Sequence, residues 1–265
     1  MRDGAPSSTA QRVAAHRLRF QRIGAPYGDP GADDRLAHDV ASDVAVDPRG
    51  PMVRYLDART RYFDRVVVDA IDAGVEQIVV AGAGYDARSL RYAKPGVAWF
   101  EADHPDTQHD KLARLATLQI AAGGVHFVPA DFKDGDLAAR LWDAGLDRTR
   151  PTLFVCEGVS VYLDDDILAV LLGELSRAGG PGSRLAISLS IAATTPEARE
   201  RRARFEARVA RVGEAVRSTL TVDDADDLLA RCGWVISATA AGSEDESRGH
   251  DAGLVLLDRA PSSSD

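Results

Sequence analysis

The sequence predicts an α/β fold: a doubly wound, mostly parallel, seven-stranded Rossmann-like sheet with an N-terminal helical cap and a helical insertion late in the chain. Three observations carry that expectation. Short apolar runs alternate with stretches of helical period from Asp57 onward. One run, Ile78 to Val80, enters Gly82-Ala83-Gly84 with nothing polar before it, as a buried parallel strand does at a glycine turn. The acids that break the apolar pattern, Glu101, Asp103, Asp131 and Glu157, each fall at the carboxyl end of a predicted strand, the edge where such sheets bind ligands.

The glycine turn is the expected cofactor site. Gly82 and Gly84 lack a Cβ, so backbone amides can come within hydrogen-bond distance of a ligand. A complete dinucleotide fingerprint is absent, because Ala87 stands where a third glycine would. Asp86 in the loop opposes a pyrophosphate, which leaves a cationic or zwitterionic ligand as the better fit.

With 265 residues, 45% of them hydrophobic, the chain can bury one large α/β core. A net charge of -9 argues against nucleic acid or an anionic membrane as partner. Cys156 and Cys232 lie far apart in apolar contexts, which is neither a disulfide framework nor a zinc pattern, and no metal is expected. No apolar run reaches the ~18 residues of a membrane span, and Met1 to Thr9 lacks a signal-peptide core, so a cytoplasmic protein is expected.

The elements follow in order. Residues 1–56 are read as a polar tail and cap: a helix capped by Thr9 running to Ile23, a stop at Gly24 to Gly31, and a weaker helix from Asp33 to Val44. Residues 57–260 form the main domain. Arg59 to Asp64 opens a helix with Phe63, Val66, Val67, Ala70 and Ile71 facing in. Two arginines at a helix N-terminus oppose the dipole, and an anionic ligand for Arg59 or Arg61 would repair that. Later helices are expected over Asp106 to Ala122 (with Leu112, Leu115 and Leu118 inward), Leu137 to Ala144, Ile167 to Ala178 and Thr221 to Cys232. Strands are expected over Val97 to Glu101, Val125 to Pro129, Thr152 to Cys156, Arg184 to Ser190, Trp234 to Ala238 and Gly253 to Leu257, the last antiparallel. The arginine-rich Pro196 to Val216, within the insertion 193–220, reads as a solvated helix over the site mouth, and 261–265 as a disordered tail.

Glu101 and Asp103 alternate along one strand and so project to one side, suited to accept ribose hydroxyls. Asp131 beside Phe132 could hold an exocyclic amine while a ring contacts a purine face. Glu157 is the one acid in an apolar segment, costly to bury without a partner.

Taken in order, Arg59 to Asp64, Ala81 to Arg88, Phe100 to Pro105, Val128 to Phe132 and Glu157 to Leu163 resemble the successive motifs of the leucine carboxyl methyltransferase family. The nearest branch is the bacterial one containing polyketide O-methyltransferases. The resemblance implies S-adenosyl-L-methionine as methyl donor and a class I methyltransferase sheet. It implies that Arg59 pairs with the methionine carboxylate, that Gly82 contacts the methionine moiety, and that Asp103 binds the ribose; Ala83 and Gly84 of the same turn are further cofactor-binding candidates. It further implies adenine contacts for Asp131 and Phe132, where the family often has Asp-Leu, and a place for Glu157 near the methionine amine or the reacting centre. The expected acceptor is a carboxylate or hydroxyl of a small molecule. A protein carboxyl terminus, a nicotinamide-dependent oxidoreductase and a silent binding protein are the alternatives. A hydroxyl acceptor would call for a base, for which His104 and Tyr162 are the candidates.

Overall fold

A computed structural model of the chain describes residues 6–47, 49, 52–193, 195–196, 199–200, 203–204, 207, 217–237 and 253–261. Seven strands form one sheet in the order β3-β2-β1-β4-β5-β7-β6. They are β1 (Gln77–Ala81), β2 (Ala98–Asp103), β3 (Val125–Pro129), β4 (Leu153–Cys156), β5 (Arg184–Ser188), β6 (Trp234–Ile236) and β7 (Leu254–Arg259). The helices with described bounds are α1 (Ser8–Arg17), α2 (Pro30–Ala41), α3 (Val53–Asp72), α4 (Arg88–Arg91), α5 (Pro105–Thr117), α6 (Leu137–Asp143), α7 (Asp165–Ala178) and α8 (Val222–Arg231). Packing divides the chain into two compact units, Met1–Pro129 and Ala130–Asp265.

In the first unit β1 pairs with β2 and β2 with β3, all parallel, so that Ala81 lies opposite Ala102 and Asp103 opposite Pro129. β1 is buried along its whole length, which is why it reads as a continuous apolar run. The cap helices differ from expectation in their ends. Ser7, not Thr9, caps α1, its Oγ accepting from Ala10 N at 3.2 Å. The helix stops at Arg17, where the next amides fold back in i→i−3 bonds, Arg19 N to His16 O and Phe20 N to Arg17 O. The Tyr27 to Gly31 cluster, read as a stop, is also a start: Asp29 caps α2 and Pro30 occupies its first position. The helix holding Arg59 and Arg61 begins at Val53, so both lie in its interior and the dipole argument for an anion falls away. Leu115 is buried, but Leu112 is 39% exposed.

Ala14 of α1 and Ala32, Leu36 and Val40 of α2 share a core with Tyr85, Ala87 and Leu90, which follow the glycine turn. The cap therefore packs on the segment that carries the turn. The connection runs so close to α4 that a Cβ on Gly28, whose φ is +85°, would sit 2.0 Å from the Arg91 carbonyl oxygen.

In the second unit β4 and β5 are parallel, and β7 runs antiparallel to both β5 and β6, as expected for the last strand. α7 has Asp165 and Asp166 in its first turn and Arg177 in its last, matching the dipole. It buries Leu168, Leu171, Leu172 and Leu175, each contributing about 1.5–3 kcal/mol. Trp234 is buried against Phe154 and its Nε1 donates to Leu172 O at 2.9 Å. β5 ends at Ser188 and β6 at Ile236; Ala238 and the tail 262–265 lie outside the described residues. So does most of Pro196 to Val216, within which described residues 196, 199, 200, 203, 204 and 207 are helical. The chain leaves and re-enters beside itself there, through a parallel bridge between Ile191 and Leu220.

Gly28→Ala combines a left-handed backbone with a clash against main chain, so it should lower stability by about 2 kcal/mol or more. Urea denaturation checks this, and an unchanged midpoint would contradict the close approach.

Candidate functional site

At the carboxyl end of β1 the chain turns through Gly82 (φ +71°) and Gly84 (φ +51°). The turn is stitched to β2. The N–H groups of Gly82 and Ala83 donate to Ala102 O at 2.8 and 3.2 Å, and Gly84 N donates to Asp103 Oδ2. The other oxygen of Asp103 accepts from His104 N at 2.6 Å. Burial raises the Asp103 carboxyl above the ordinary range, and the two amides only partly offset it. Each carboxylate oxygen has two acceptor sites, so one backbone donor apiece leaves capacity for ligand hydroxyls. On its far side the turn meets α1, where a Cβ on Gly84 would come within 2.9 Å of the Ala10 Cβ.

Beyond the turn lies a buried network of charge. Arg88, with no exposed surface, donates through Nε to Asp64 Oδ1 at 2.7 Å, through Nη1 to Asp86 Oδ2, and through Nη2 to Thr60 O at 3.2 Å. Arg22 holds Asp64 through Nε and Nη2 at 2.6 and 2.9 Å and reaches Asp33 through Nη1 at 2.8 Å. Arg91 also pairs with Asp33, and Arg17 of α1 reaches Asp86 at 3.3 Å. Asp86 is thus paired by arginines from within the protein. Burial alone would raise the Asp64 carboxyl; the Arg88 charge and the Arg22 hydrogen bond outweigh it and hold the group at about 2. Asp64 was legible as a point of interest, because it falls on the same helical face as the buried Thr60, Val67, Val68 and Ile71.

The remaining candidates of this unit separate. Glu101 shares a face of β2 with Asp103, but its carboxylate accepts from Ser89 Oγ at 2.5 Å and pairs with the buried Lys111. Arg59 is buried on α3 with its guanidinium 5.5 Å from the Tyr55 ring centroid. Arg61 is 51% exposed and pairs with Asp57 one turn back at 3.2 Å. His104 caps α5, its Nδ1 accepting from Asp106 N at 3.3 Å and lying 3.5 Å from Asp106 Oδ2.

In the second unit Asp131 caps a single helical turn, Phe132–Asp134, and its Oδ2 pairs with Lys133 Nζ at 2.7 Å. Phe132 is half-buried. Glu157, directly after β4, is also half-buried, so the full cost of burying a charge does not arise. Gly158 N donates to Ser188 Oγ at 2.7 Å, which ties this loop to β5, and Tyr162 ends a second single turn, Ser160–Tyr162.

Among the described residues no cluster of His, Cys, Asp and Glu could hold a metal, and no helix is long and apolar enough to cross a membrane. Cys156 is buried and its thiol is pushed up to about 12, which makes it inert.

A turn with two glycines, beside an acid held by two amides, fits an adenosine-type cofactor on this sheet. The likeness to known proteins gives that cofactor its identity. A protein of known structure from Thermobifida fusca, assigned as a methyltransferase, has the same fold, with a TM-score of 0.60, 17% identity, and coverage of 98% of this chain and 97% of that one. The leucine carboxyl methyltransferase family matches residues 20–176, and the chain belongs to it. A relative from Mycobacterium sp. (strain KMS), assigned as an S-adenosyl-L-methionine-dependent methyltransferase, is 35% identical over 222 residues, 76% of this chain and 72% of the relative. One from Mycobacterium bovis with the same assignment is 32% identical over 257 residues, 91% and 84%. The chain is an S-adenosyl-L-methionine-dependent methyltransferase, and the nicotinamide alternative is set aside.

Asp64→Asn leaves Arg88 and Arg22 short of a buried counter-charge and should cost about 3–5 kcal/mol at neutral pH. The carboxyl is held below its ordinary 3.8, so its contribution is complete above about pH 4 and is lost as pH falls toward about 2. Thermal melts of both proteins should therefore converge in acid. A gap that stays constant down to pH 2 would contradict the assignment.

Proposed function

We propose that the chain transfers the methyl group to an oxygen of a small molecule, a carboxylate in the first instance and a hydroxyl in the second, with a polyketide-type metabolite as a fitting acceptor class. The observation that carries the choice is the capping position of His104. Its Nδ1 is committed to the amide of Asp106 as a helix cap, so it is poorly suited to take a proton from a phenol or alcohol. A carboxylate acceptor needs no base. The family's own description as a carboxyl methyltransferase supports the same reading.

When bound, S-adenosyl-L-methionine supplies a methyl group on a positively charged sulfur, already activated for in-line attack. The protein's share is to bind, orient and exclude water. In this reading Asp103 accepts the ribose hydroxyls, Gly82, Ala83 and Gly84 line the methionine moiety, and the buried Arg59 rather than the exposed Arg61 pairs with its carboxylate. By motif position Asp131 and Phe132 serve the adenine, Glu157 the methionine amine or reacting centre, and Tyr162 is the second base candidate for a hydroxyl acceptor. The net charge of -9 supports a small molecule over a nucleic acid as acceptor.

Two experiments test this. Calorimetric titration with S-adenosylhomocysteine should show about tenfold or greater weakening in Asp103→Ala and Arg59→Ala, from the loss of a charged hydrogen bond, and near-wild-type affinity in Arg61→Ala. Unchanged affinity in Asp103→Ala would move the ribose elsewhere. For the acceptor, labelled methyl donor is incubated with a panel of carboxylic acids, phenols and alcohols, and products are treated with mild alkali. Methyl esters release labelled methanol; label found only in alkali-stable products would sink the carboxylate reading.

A further inference from the structure

The glycine turn is fixed at both ends, and the second anchor is not on the strand beside it. At its entry the amides of Gly82 and Ala83 bind Ala102 O, and that of Gly84 binds Asp103. At its exit the carbonyl of Asp86 accepts from Lys111 Nζ. The same ammonium pairs with Glu101 Oε2, and both side chains are only 2% exposed. Glu101 is itself pinned: its other oxygen accepts from Ser89 Oγ at 2.5 Å, and its backbone carbonyl accepts from Gln108 Nε2 at 3.0 Å. Gln108 and Lys111 stand three residues apart on α5, so one helical face delivers both donors.

A buried ion pair is a poor stabilising device, because apolar residues of similar volume often do as well or better in its place. An apolar pair at these positions would fill the space. It would not hold a carbonyl.

We propose that Lys111 and Glu101 are a positioning pair: Glu101 fixes the ammonium, the ammonium fixes the Asp86 carbonyl, and the glycine turn thereby keeps the shape that receives the cofactor. This rests on the assignment of that turn to the cofactor. It also divides the labour of β2. Asp103 faces the turn and the ligand, whereas Glu101 acts through Lys111 and makes no ribose contact.

The test uses the purified chain, S-adenosylhomocysteine titration calorimetry, thermal melts, and amide hydrogen exchange of residues 82–88 without ligand. Lys111→Met alone strands the Glu101 carboxylate, so stability and affinity should fall together. In the double variant Lys111→Met/Glu101→Leu no charge is stranded, and stability should return. Its affinity should remain about tenfold or more weaker, and amides of residues 82–88 should exchange faster than in the wild type. A double variant with wild-type affinity and protection overturns the inference and makes the pair mere filling. Should that variant not fold, Glu101→Asp decides: it keeps both charges and shortens the arm, so weakened affinity at near-wild-type stability supports the pair, and unchanged affinity overturns it. Asp103→Ala serves as the reference. If it weakens binding while the pair variants do not, only the pairing falls; if it too leaves binding unchanged, the cofactor assignment of the turn falls with it.

Discussion

Arg88 carries a full charge with no exposed surface, and much of the first unit is arranged around neutralising it. A guanidinium cannot shed its proton to escape burial, so carboxylates must come to it. Asp64 arrives from the middle of α3 and Asp86 from the exit of the glycine turn. Those two acids in turn draw in Arg22 and Arg17, and Asp33 joins Arg22 to Arg91. The shape of the cap follows: α1 stops at Arg17 and the chain turns back, delivering Arg22 to Asp64. Such a network adds little net stability compared with an apolar core. What it supplies is register, since a wrong arrangement strands a charge.

The same economy governs the strand edge. Acids near the turn are each assigned distinct donors: Asp86 takes guanidinium groups and the Arg88 amide, Glu101 an ammonium and a hydroxyl, Asp103 two backbone amides. Only Asp103 is met by amides alone. Burial lifts its carboxyl above the ordinary range, and each of its oxygens keeps acceptor capacity beyond its one amide.

The strands were nearly all legible, because buried parallel strands are short apolar runs with glycine or acid at their ends. Ile78 to Val80 and Leu153 to Cys156 needed no tertiary information. Helix starts were less so. Asp29-Pro30 serves both to stop one element and to cap the next, and sequence alone weighed the first. α3 begins six residues before Arg59, ahead of the apolar stripe that signalled it, since its first turns have few inward apolar residues. Of the site, the strand-end acids could be found by position, but not their partners. Asp86 and Arg88 are two residues apart and look like ordinary loop charges; only the fold brings Asp64 and Arg17 to them. Lys111 on α5 carries no local mark, because its acceptors lie ten and twenty-five residues away.

These partners change what the cap is. Ala10 touches the space that a side chain on Gly84 would take, and Arg17 binds the acid two residues further on. Gly84 is therefore constrained from two sides, by the amide geometry that meets Asp103 and by the helix lying against it. A helix whose polar anchors are buried charges cannot peel away piecemeal, because releasing Arg17 alone leaves Asp86 with less compensation in an apolar surround. The N-terminal segment, which carries no motif of its own, is in physical terms part of the glycine turn's own support.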